Sequence, residues 1–107
     1  MRREQLKGHL DLLLLSVLAG GPAHGYAVIT ALRARSAGEF DLPEGTVYPA
    51  LHRLEEDGLL RSYWAEQRGR RRRLYEVTAQ GVKALHDLRQ EWHRFSTGIE
   101  AVVGGLT

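Results

Sequence analysis

A chain of 107 residues can bury one hydrophobic core, so this one is expected to fold without a disulfide or a structural metal. It has no cysteine, which excludes thiol catalysis and zinc sites built on thiolates. The net charge is only +2, and the longest apolar run, Leu12–Leu15, is too short to cross a membrane. Since no signal-peptide core follows the first residues either, we expect a cytoplasmic protein with no membrane segment.

The first predicted helix runs from Glu4 to Ala19, where Gly20-Gly21-Pro22 breaks it. Its apolar residues recur three and four positions apart and give it a wide apolar face: Leu6, Leu10, Leu13, Leu14, Val17 and Leu18. Leu12 and Leu15 lie off this face, so the helix needs a second neighbour, from its own domain or from a second chain. We include both residues in a predicted dimer interface.

Two more helices follow, one predicted from Ala23 to Ala34 and one that ends at about Asp57. In the last of these, the core-facing stripe consists of Val47, Leu51 and Leu54. Beyond it, Gly58 and Leu59 can form a Schellman cap, in which the glycine adopts a left-handed conformation and the leucine folds back onto Leu54. Three helices in this order predict a helix-turn-helix unit whose third helix reads a DNA groove.

The start of the third helix has two possible positions, because Pro49 cannot donate a backbone hydrogen bond inside a helix. Either Thr46 caps a helix with Pro49 in its first turn, or the helix begins near Pro43 and bends at Pro49. We prefer the second, since Asp41 and Glu44 have the spacing of a capping box.

The working surface of this helix is predicted on its remaining circumference. It comprises Thr46, Tyr48, Pro49, His52 and Arg53. Glu55, Glu56 and Asp57 sit at the C-terminal end, where the helix dipole is already negative and a phosphate would be repelled. Contact with DNA is therefore expected from the N-terminal half. Tyr26 on the second helix has two open interpretations: its ring is buried with the hydroxyl bonded locally, or the hydroxyl reaches a phosphate.

After Gly58 the apolar period changes to alternation, which predicts a β-hairpin with strands Leu60–Ala65 and Leu74–Val77. The predicted loop is strongly basic. It contains Arg68, Arg70, Arg71, Arg72 and Arg73. These five charges exceed the net charge of the whole chain, so the rest is slightly acidic and the patch indicates a directed anionic partner. A hairpin of this kind beside three helices is a winged helix, and the predicted class is mostly α with a small β-hairpin (α+β).

A last helix is predicted from a Thr78 N-cap to about Val103, with apolar residues at spacings of three and four. This seam comprises Leu85, Leu88, Trp92, Phe95, Ile99, Val102 and Leu106. The helix is long for so small a protein, so its far end should project and pair with the same helix of a second copy. We therefore divide the chain into a winged helix-turn-helix domain, residues 1–78, and a dimerisation helix, residues 79–107.

Several of these segments resemble the PadR family of bacterial transcriptional regulators. They are His24-Gly-Tyr26, Gly45-Thr-Val-Tyr-Pro-Ala-Leu51, Leu54-Glu55 followed by Gly58-Leu-Leu60, Leu74-Tyr-Glu-Val-Thr78 and Gly81. The resemblance covers roughly Leu10 to Ile99 and is to the shorter members, with a single C-terminal helix. It implies a dimeric repressor that binds a pseudo-palindromic operator and is released by a small molecule or a stress signal. Two departures are Leu42, where the family often has a capping hydroxyl residue, and the unusual number of arginines in the wing.

Trp92 lies midway along the seam, near its own copy in a two-fold dimer, and has two interpretations. It is a large interface anchor, or two indoles leave a slot for a planar aromatic effector, as the resemblance implies for some short members.

Other classes of function are disfavoured. The histidines at 9, 24, 52, 86 and 93 include no pair at the four-residue spacing of a zinc clamp, so neither a metal nor any other cofactor is predicted. The sequence contains neither a nucleophile elbow nor a phosphate-binding glycine loop, so an enzyme is not predicted. RNA binding is disfavoured because the predicted sheet lacks exposed aromatic residues. A winged helix used only for protein interaction is the main alternative, but it has no need of five arginines on its wing.

Overall fold

The computed structural model describes residues 3–104, with the side chains of residue 6 and residues 8–104. Within that range the elements are α1 (Arg3–Leu18), β1 (Ala23–His24), α2 (Gly25–Arg35), α3 (Glu44–Glu56), β2 (Leu60–Gln67), β3 (Arg70–Val77) and α4 (Ala79–Val103). The strands form an antiparallel sheet of order β1-β3-β2. The predicted α+β winged helix-turn-helix architecture is confirmed.

One hydrophobic core joins the three N-terminal helices, the sheet and the first turns of α4. Its buried members are Leu10, Leu14, Leu15, Leu18, Val28, Ile29, Leu32, Val47, Ala50, Leu51, Leu54, Leu60, Tyr75 and Leu85. The apolar stripe of α3 was predicted correctly, because helical spacing determines which residues share a face.

Strand β1 was not predicted. Ala23 and His24 pair with Tyr75 and Leu74 of β3, although both were predicted at the start of the second helix. A strand of two residues has no periodicity to detect, and it forms here because β3 offers an edge with unpaired backbone groups.

Helix α4 is joined tightly to the end of α3. The Thr78 hydroxyl accepts a hydrogen bond from the Gly81 amide at 3.0 Å, so the predicted N-cap is confirmed. The same hydroxyl donates to the carbonyl of Gly58 at 2.6 Å. Gly81 lies directly under the backbone of Leu59, where a Cβ atom would clash with the carbonyl oxygen and lie 2.7 Å from a methyl carbon of Val77.

The second half of α4 leaves the core. Leu85 is buried, whereas Trp92, Phe95, Ile99 and Val102 are exposed in the isolated chain. Their projection gives the molecule an elongated shape of 54 × 28 × 22 Å. Leu106, the last predicted seam residue, lies outside the described residues. No helix in the described range is long and apolar enough to cross a membrane.

We expect Gly81→Ala to lower the free energy of unfolding by about 1–3 kcal/mol, because the added methyl group meets backbone atoms that cannot rotate away. Gly45→Ala is the matched control, since a Cβ atom there has no neighbour within 4 Å. It should leave stability unchanged or raise it by up to about 1 kcal/mol. Urea denaturation followed by circular dichroism measures both. Equal stability of the two variants would contradict the close contact between α4 and Leu59.

Candidate DNA-binding surface and dimer surface

Helix α3 begins at Glu44 after an extended Pro43, so the preferred start is confirmed. The capping box was wrong, because no side chain caps this helix. Asp41 instead lies 3.4 Å from Arg33 in an exposed ion pair. The Thr46 amide already donates to the carbonyl of Pro43 at 3.0 Å, whereas the first-turn amides of Glu44 and Gly45 have no side-chain acceptor and can meet a ligand.

The far end of α3 closes with the predicted Schellman cap. Gly58 has φ of +79°, and the Leu59 amide donates to the carbonyl of Leu54 at 3.0 Å. Glu55 at this end accepts a hydrogen bond from Ser62 of β2 at 2.5 Å and lies 3.8 Å from Arg73 of β3. The acidic end of the helix thus holds the wing in place.

The predicted α3 contact residues differ in their exposure. Pro49 and His52 are exposed, and Thr46 is half-buried. Tyr48 was predicted on the outer face, but its half-buried ring packs on the core and against Gly25 of α2. A Cβ atom at Gly25 would lie 2.7 Å from Cζ of that ring, so the glycine allows α2 and α3 to approach closely. Tyr48 is therefore only partly available to a ligand.

Arg53 and Tyr26 complete the predicted helical set. The two terminal nitrogens of the Arg53 guanidinium donate to the Asp11 carboxylate of α1, Nη2 at 2.7 Å and Nη1 at 3.2 Å. This bidentate pair orients Arg53 across the helices, and no local spacing could predict it because the two residues are 42 positions apart. The Tyr26 ring is exposed, which removes the interpretation in which it is buried.

The arginines of the wing lie mostly in a strand, which corrects the predicted basic loop. The turn contains only Arg68 and Gly69, with φ of +53° and +76°, values that suit a two-residue hairpin turn. Residues 70–73 belong to β3, so their side chains alternate between the two faces of the sheet. Within residues 3–104, Arg68 and Arg70 are exposed with no carboxylate or ring partner.

Trp64 was missed as a functional residue. Its ring is 53% exposed on β2, and the guanidinium carbons of Arg71 and Arg73 lie 4.9 and 5.6 Å from its centroid. Each separation is in the range of a cation–π contact, so the indole orients both arginines. Trp64 and its exposed neighbour Tyr63 also show that the argument against RNA binding was wrong in assuming a sheet without exposed aromatics. The register that pairs Trp64 with Arg73 could have revealed this contact.

Arg72 projects from the opposite face of β3 toward the start of α2. Its Nη1 atom lies 3.3 Å from Nε2 of His24. On the other side of the imidazole, Nδ1 accepts the Ala27 amide at 3.2 Å and so caps α2. Burial, and secondarily the Arg72 charge, lower the pKa of His24 from its ordinary value.

The predicted dimer residues fall into three groups. Leu15 and Leu85 are 0% and 4% exposed in the single chain, so assigning them to a dimer interface was wrong: both serve the protomer's own core. Leu12 and Leu88 are half-buried beside that core. The remaining residues form an exposed apolar face on α4, namely Trp92, Phe95, Ile99 and Val102.

Trp92 also borders a cleft between α1 and α4. Its ring is 44% exposed and meets the imidazole of His9 edge-on at 5.1 Å, with the ring of Phe95 6.0 Å away. The cleft has a volume of about 280 Å³ and is lined by Gly8, His9, Leu12, Leu88, Glu91, Trp92 and Phe95. Ring faces and one carboxylate, that of Glu91, are therefore available within a single protomer.

Residues 14–87 match the Transcriptional regulator PadR-like family. The chain is 39% identical to the transcriptional regulator Rv3488 of Mycobacterium tuberculosis, over 82% of this chain and 79% of that protein. It is 29% identical to the transcriptional regulator YqjI of Escherichia coli over 94% of its own length, but spans only 48% of that relative.

Solved structures agree with this family match. A transcriptional regulator from Clostridium thermocellum superposes with a TM-score of 0.85 at 29% identity, covering 94% of this chain and 96% of that one. A PadR family transcriptional regulator from Eggerthella lenta gives 0.80 at 32% identity, covering 94% and 86%. The matched proteins are regulators and not enzymes, and the chain belongs to the PadR-like family of transcriptional regulators.

Proposed function

We propose that this protein is a dimeric repressor that binds a pseudo-palindromic DNA operator and is released by a small-molecule effector. One observation carries the proposal: the uncapped N-terminal half of α3 lies on the same domain as a wing whose arginines project outward. Helix N-termini and arginines both favour phosphate, whereas the acidic C-terminal end of α3 is held by Ser62 and Arg73. The DNA contacts proposed are Tyr26, Thr46, Tyr48, Pro49, His52, Arg53, Arg68, Arg70, Arg71 and Arg72.

The proposed roles follow from side-chain chemistry and position. His52 is exposed beyond the first turn of α3, where a recognition helix presents side chains to base edges. Arg71 is held against Trp64 on the wing, where guanidinium groups position a protein by contacting phosphates. The two residues should therefore contribute differently to sequence preference.

We expect tight binding to a pseudo-palindrome with half-sites about 34 Å apart. If about three arginines of each wing meet phosphates, affinity should fall roughly a thousandfold between 50 and 200 mM salt. Fluorescence anisotropy with labelled duplexes measures this dependence. An affinity that did not change with salt concentration would contradict phosphate binding by the wing and favour a winged helix used for protein interaction.

We expect Arg71→Ala to weaken all duplexes alike, by roughly tenfold, and His52→Ala to change the preference among operator variants. Competition between the operator and single-base variants separates the two effects. Asp57→Ala, at the acidic end of α3, serves as a control and should not weaken binding. The assignment fails if His52→Ala lowers affinity for every duplex by the same factor.

The exposed face of α4 supports a homodimer as the DNA-binding species. Four large apolar side chains on one projecting helix form a patch of the kind that monomers rarely leave in water. Pairing with the same helix of a second copy covers this face and presents α3 twice, as a two-fold operator requires. The proposed interface contains Leu12, Leu88, Trp92, Phe95, Ile99 and Val102.

We expect the double variant Phe95→Glu, Ile99→Glu to be monomeric and to lose operator binding, because buried carboxylates would face one another across the seam. Sedimentation velocity gives the oligomeric state. Lys83→Glu, on the core-proximal half of α4, is the charge-matched control and should remain dimeric. A double variant that is still a dimer would place the interface elsewhere.

The cleft beside Trp92 supports a planar aromatic effector that carries positive charge. Aromatic rings on Trp92 and Phe95 can stack on a flat ligand, and the Glu91 carboxylate can neutralise a cation. In a dimer this cleft would adjoin the predicted slot between the two Trp92 rings. A ligand that binds one arrangement of the helices better would release DNA in proportion to that difference in affinity.

We expect planar cationic dyes to quench tryptophan fluorescence through Trp92. The Trp64→Phe variant should retain the quenching and Trp92→Phe should lose it, since these are the two tryptophans of the chain. Glu91→Gln should weaken dye binding without changing the maximal quenching. If quenching survives in Trp92→Phe and disappears in Trp64→Phe, the ligand binds at the wing and Trp92 is only an interface anchor.

A further inference from the structure

The imidazole of His24 is placed between two nitrogen donors. Nδ1 lies 3.2 Å from the backbone amide of Ala27, and Nε2 lies 3.3 Å from Nη1 of Arg72. A neutral imidazole has one N–H group and one acceptor nitrogen, and a guanidinium has only donors. One of the two contacts must therefore bring two N–H groups face to face.

The helix cap decides which contact lacks an acceptor. Ala27 is in the first turn of α2, and within the described residues no other side chain accepts its amide. If Nδ1 accepts that amide, the proton of the neutral ring is on Nε2 and points toward Arg72. Burial and the Arg72 charge keep the pKa of His24 low, which favours the neutral ring that the cap needs.

Two N–H groups that converge without an acceptor form a site for an anion. Gln67 and Arg68 line the same open cleft with His24 and Arg72, and its volume of about 530 Å³ admits a phosphate group. No described acidic residue lines this cleft. The charged side chains that line this cleft are therefore Arg68 and Arg72, and both are positive.

The position of the cleft indicates where the anion comes from. Gly25 follows His24 directly and contacts Tyr48 in the N-terminal half of α3, while Arg72 belongs to the wing. The start of α2 thus lies between the two elements that the proposed function assigns to DNA. A phosphate bound there would contact the start of α2 and the wing at once.

We infer that the Nε2–H group of His24 and the guanidinium of Arg72 together bind one phosphate of the DNA backbone. This inference rests on the proposed function. The phosphate oxygen supplies the acceptor that both groups lack, so binding removes the unfavourable contact between them. His24 thereby links the start of α2 to the wing on bound DNA.

The first test needs no DNA. Nitrogen-15 spectra of the histidine side chains should show the Nε2–H tautomer for His24, and inorganic phosphate or dimethyl phosphate should shift its resonances more than chloride of equal ionic strength. Arg72→Gln should abolish the shift. An Nδ1–H tautomer, or equal responses to phosphate and chloride, would overturn the inference.

The second test is a double-mutant cycle on operator binding. His24→Asn keeps an acceptor for the Ala27 amide but is too short to share a ligand with residue 72, so the fold is retained. His24→Asn and Arg72→Gln should each weaken all duplexes by at least about tenfold. Because both groups bind the same phosphate, the double variant should be little worse than the poorer single variant.

Arg70→Gln is the matched control, since Arg70 lies two residues away on the same face of β3 and is exposed. Its effect should add to that of His24→Asn. Additive effects of His24→Asn and Arg72→Gln, or no effect of His24→Asn, would overturn the shared site while the wild type still bound its operator. If the wild type bound no duplex but phosphate still shifted His24, the proposed DNA binding would be wrong and the DNA backbone would not be the source of the anion, while the anion site itself would stand.

Discussion

Helix α3 can present a fixed outer surface only because its inner stripe is completely buried. Val47, Leu51 and Leu54 are 0% exposed, and burying each such side chain is worth about 1.5–3 kcal/mol. That burial fixes the rotation of the helix about its own axis. The Schellman cap and the Glu55 contact with Ser62 then fix its end, so the entropy cost of ordering the helix is met during folding and not on binding.

The ion pairs of the surface orient side chains more than they stabilise the fold. The Arg53 and Asp11 side chains are 50% and 36% exposed, and pairs of this kind contribute at most about 1 kcal/mol. Their main effect is on orientation, because a guanidinium with two hydrogen bonds to one carboxylate is held in one position between the two helices. On the wing, Trp64 does the same for Arg71 and Arg73, which leaves Arg68 and Arg70 at the turn free to follow a phosphate backbone.

What could be predicted from the sequence is what depends on local spacing. The helical stripes, the Gly58 cap, the Thr78 cap and the long terminal helix all follow from residues within a few positions of one another. Contacts between distant segments could not be found in this way. Three such features depend on how the elements pack, and no local spacing predicts them. They are the contact of Asp11 with Arg53, the contact of His24 with Arg72 and the two-residue strand β1.

Two of the errors about exposure, those at Tyr48 and Leu15, have a common physical cause. Tyr48 was expected outside and Leu15 at a second chain, because a helical wheel gives the angle of a side chain but not the number of neighbours around the helix. Gly25 lets α2 approach α3 so closely that Tyr48 becomes half-buried, and the protomer's own core encloses Leu15. A missing Cβ atom on one helix thus changes the exposure of a residue on another.

Helix α1 connects the two surfaces of the proposed regulator. Leu12 lines the cleft beside Trp92, while the adjacent Asp11 holds Arg53 of α3. The buried leucines of α1 also pack in the same core as the inner stripe of α3. A ligand that separated Trp92 from His9 would therefore act on the helix against which α3 is positioned. Couplings between two binding sites are typically about 1–3 kcal/mol. A ligand whose binding free energy differs by this amount between two positions of α1 would therefore change the fraction of protein bound to DNA.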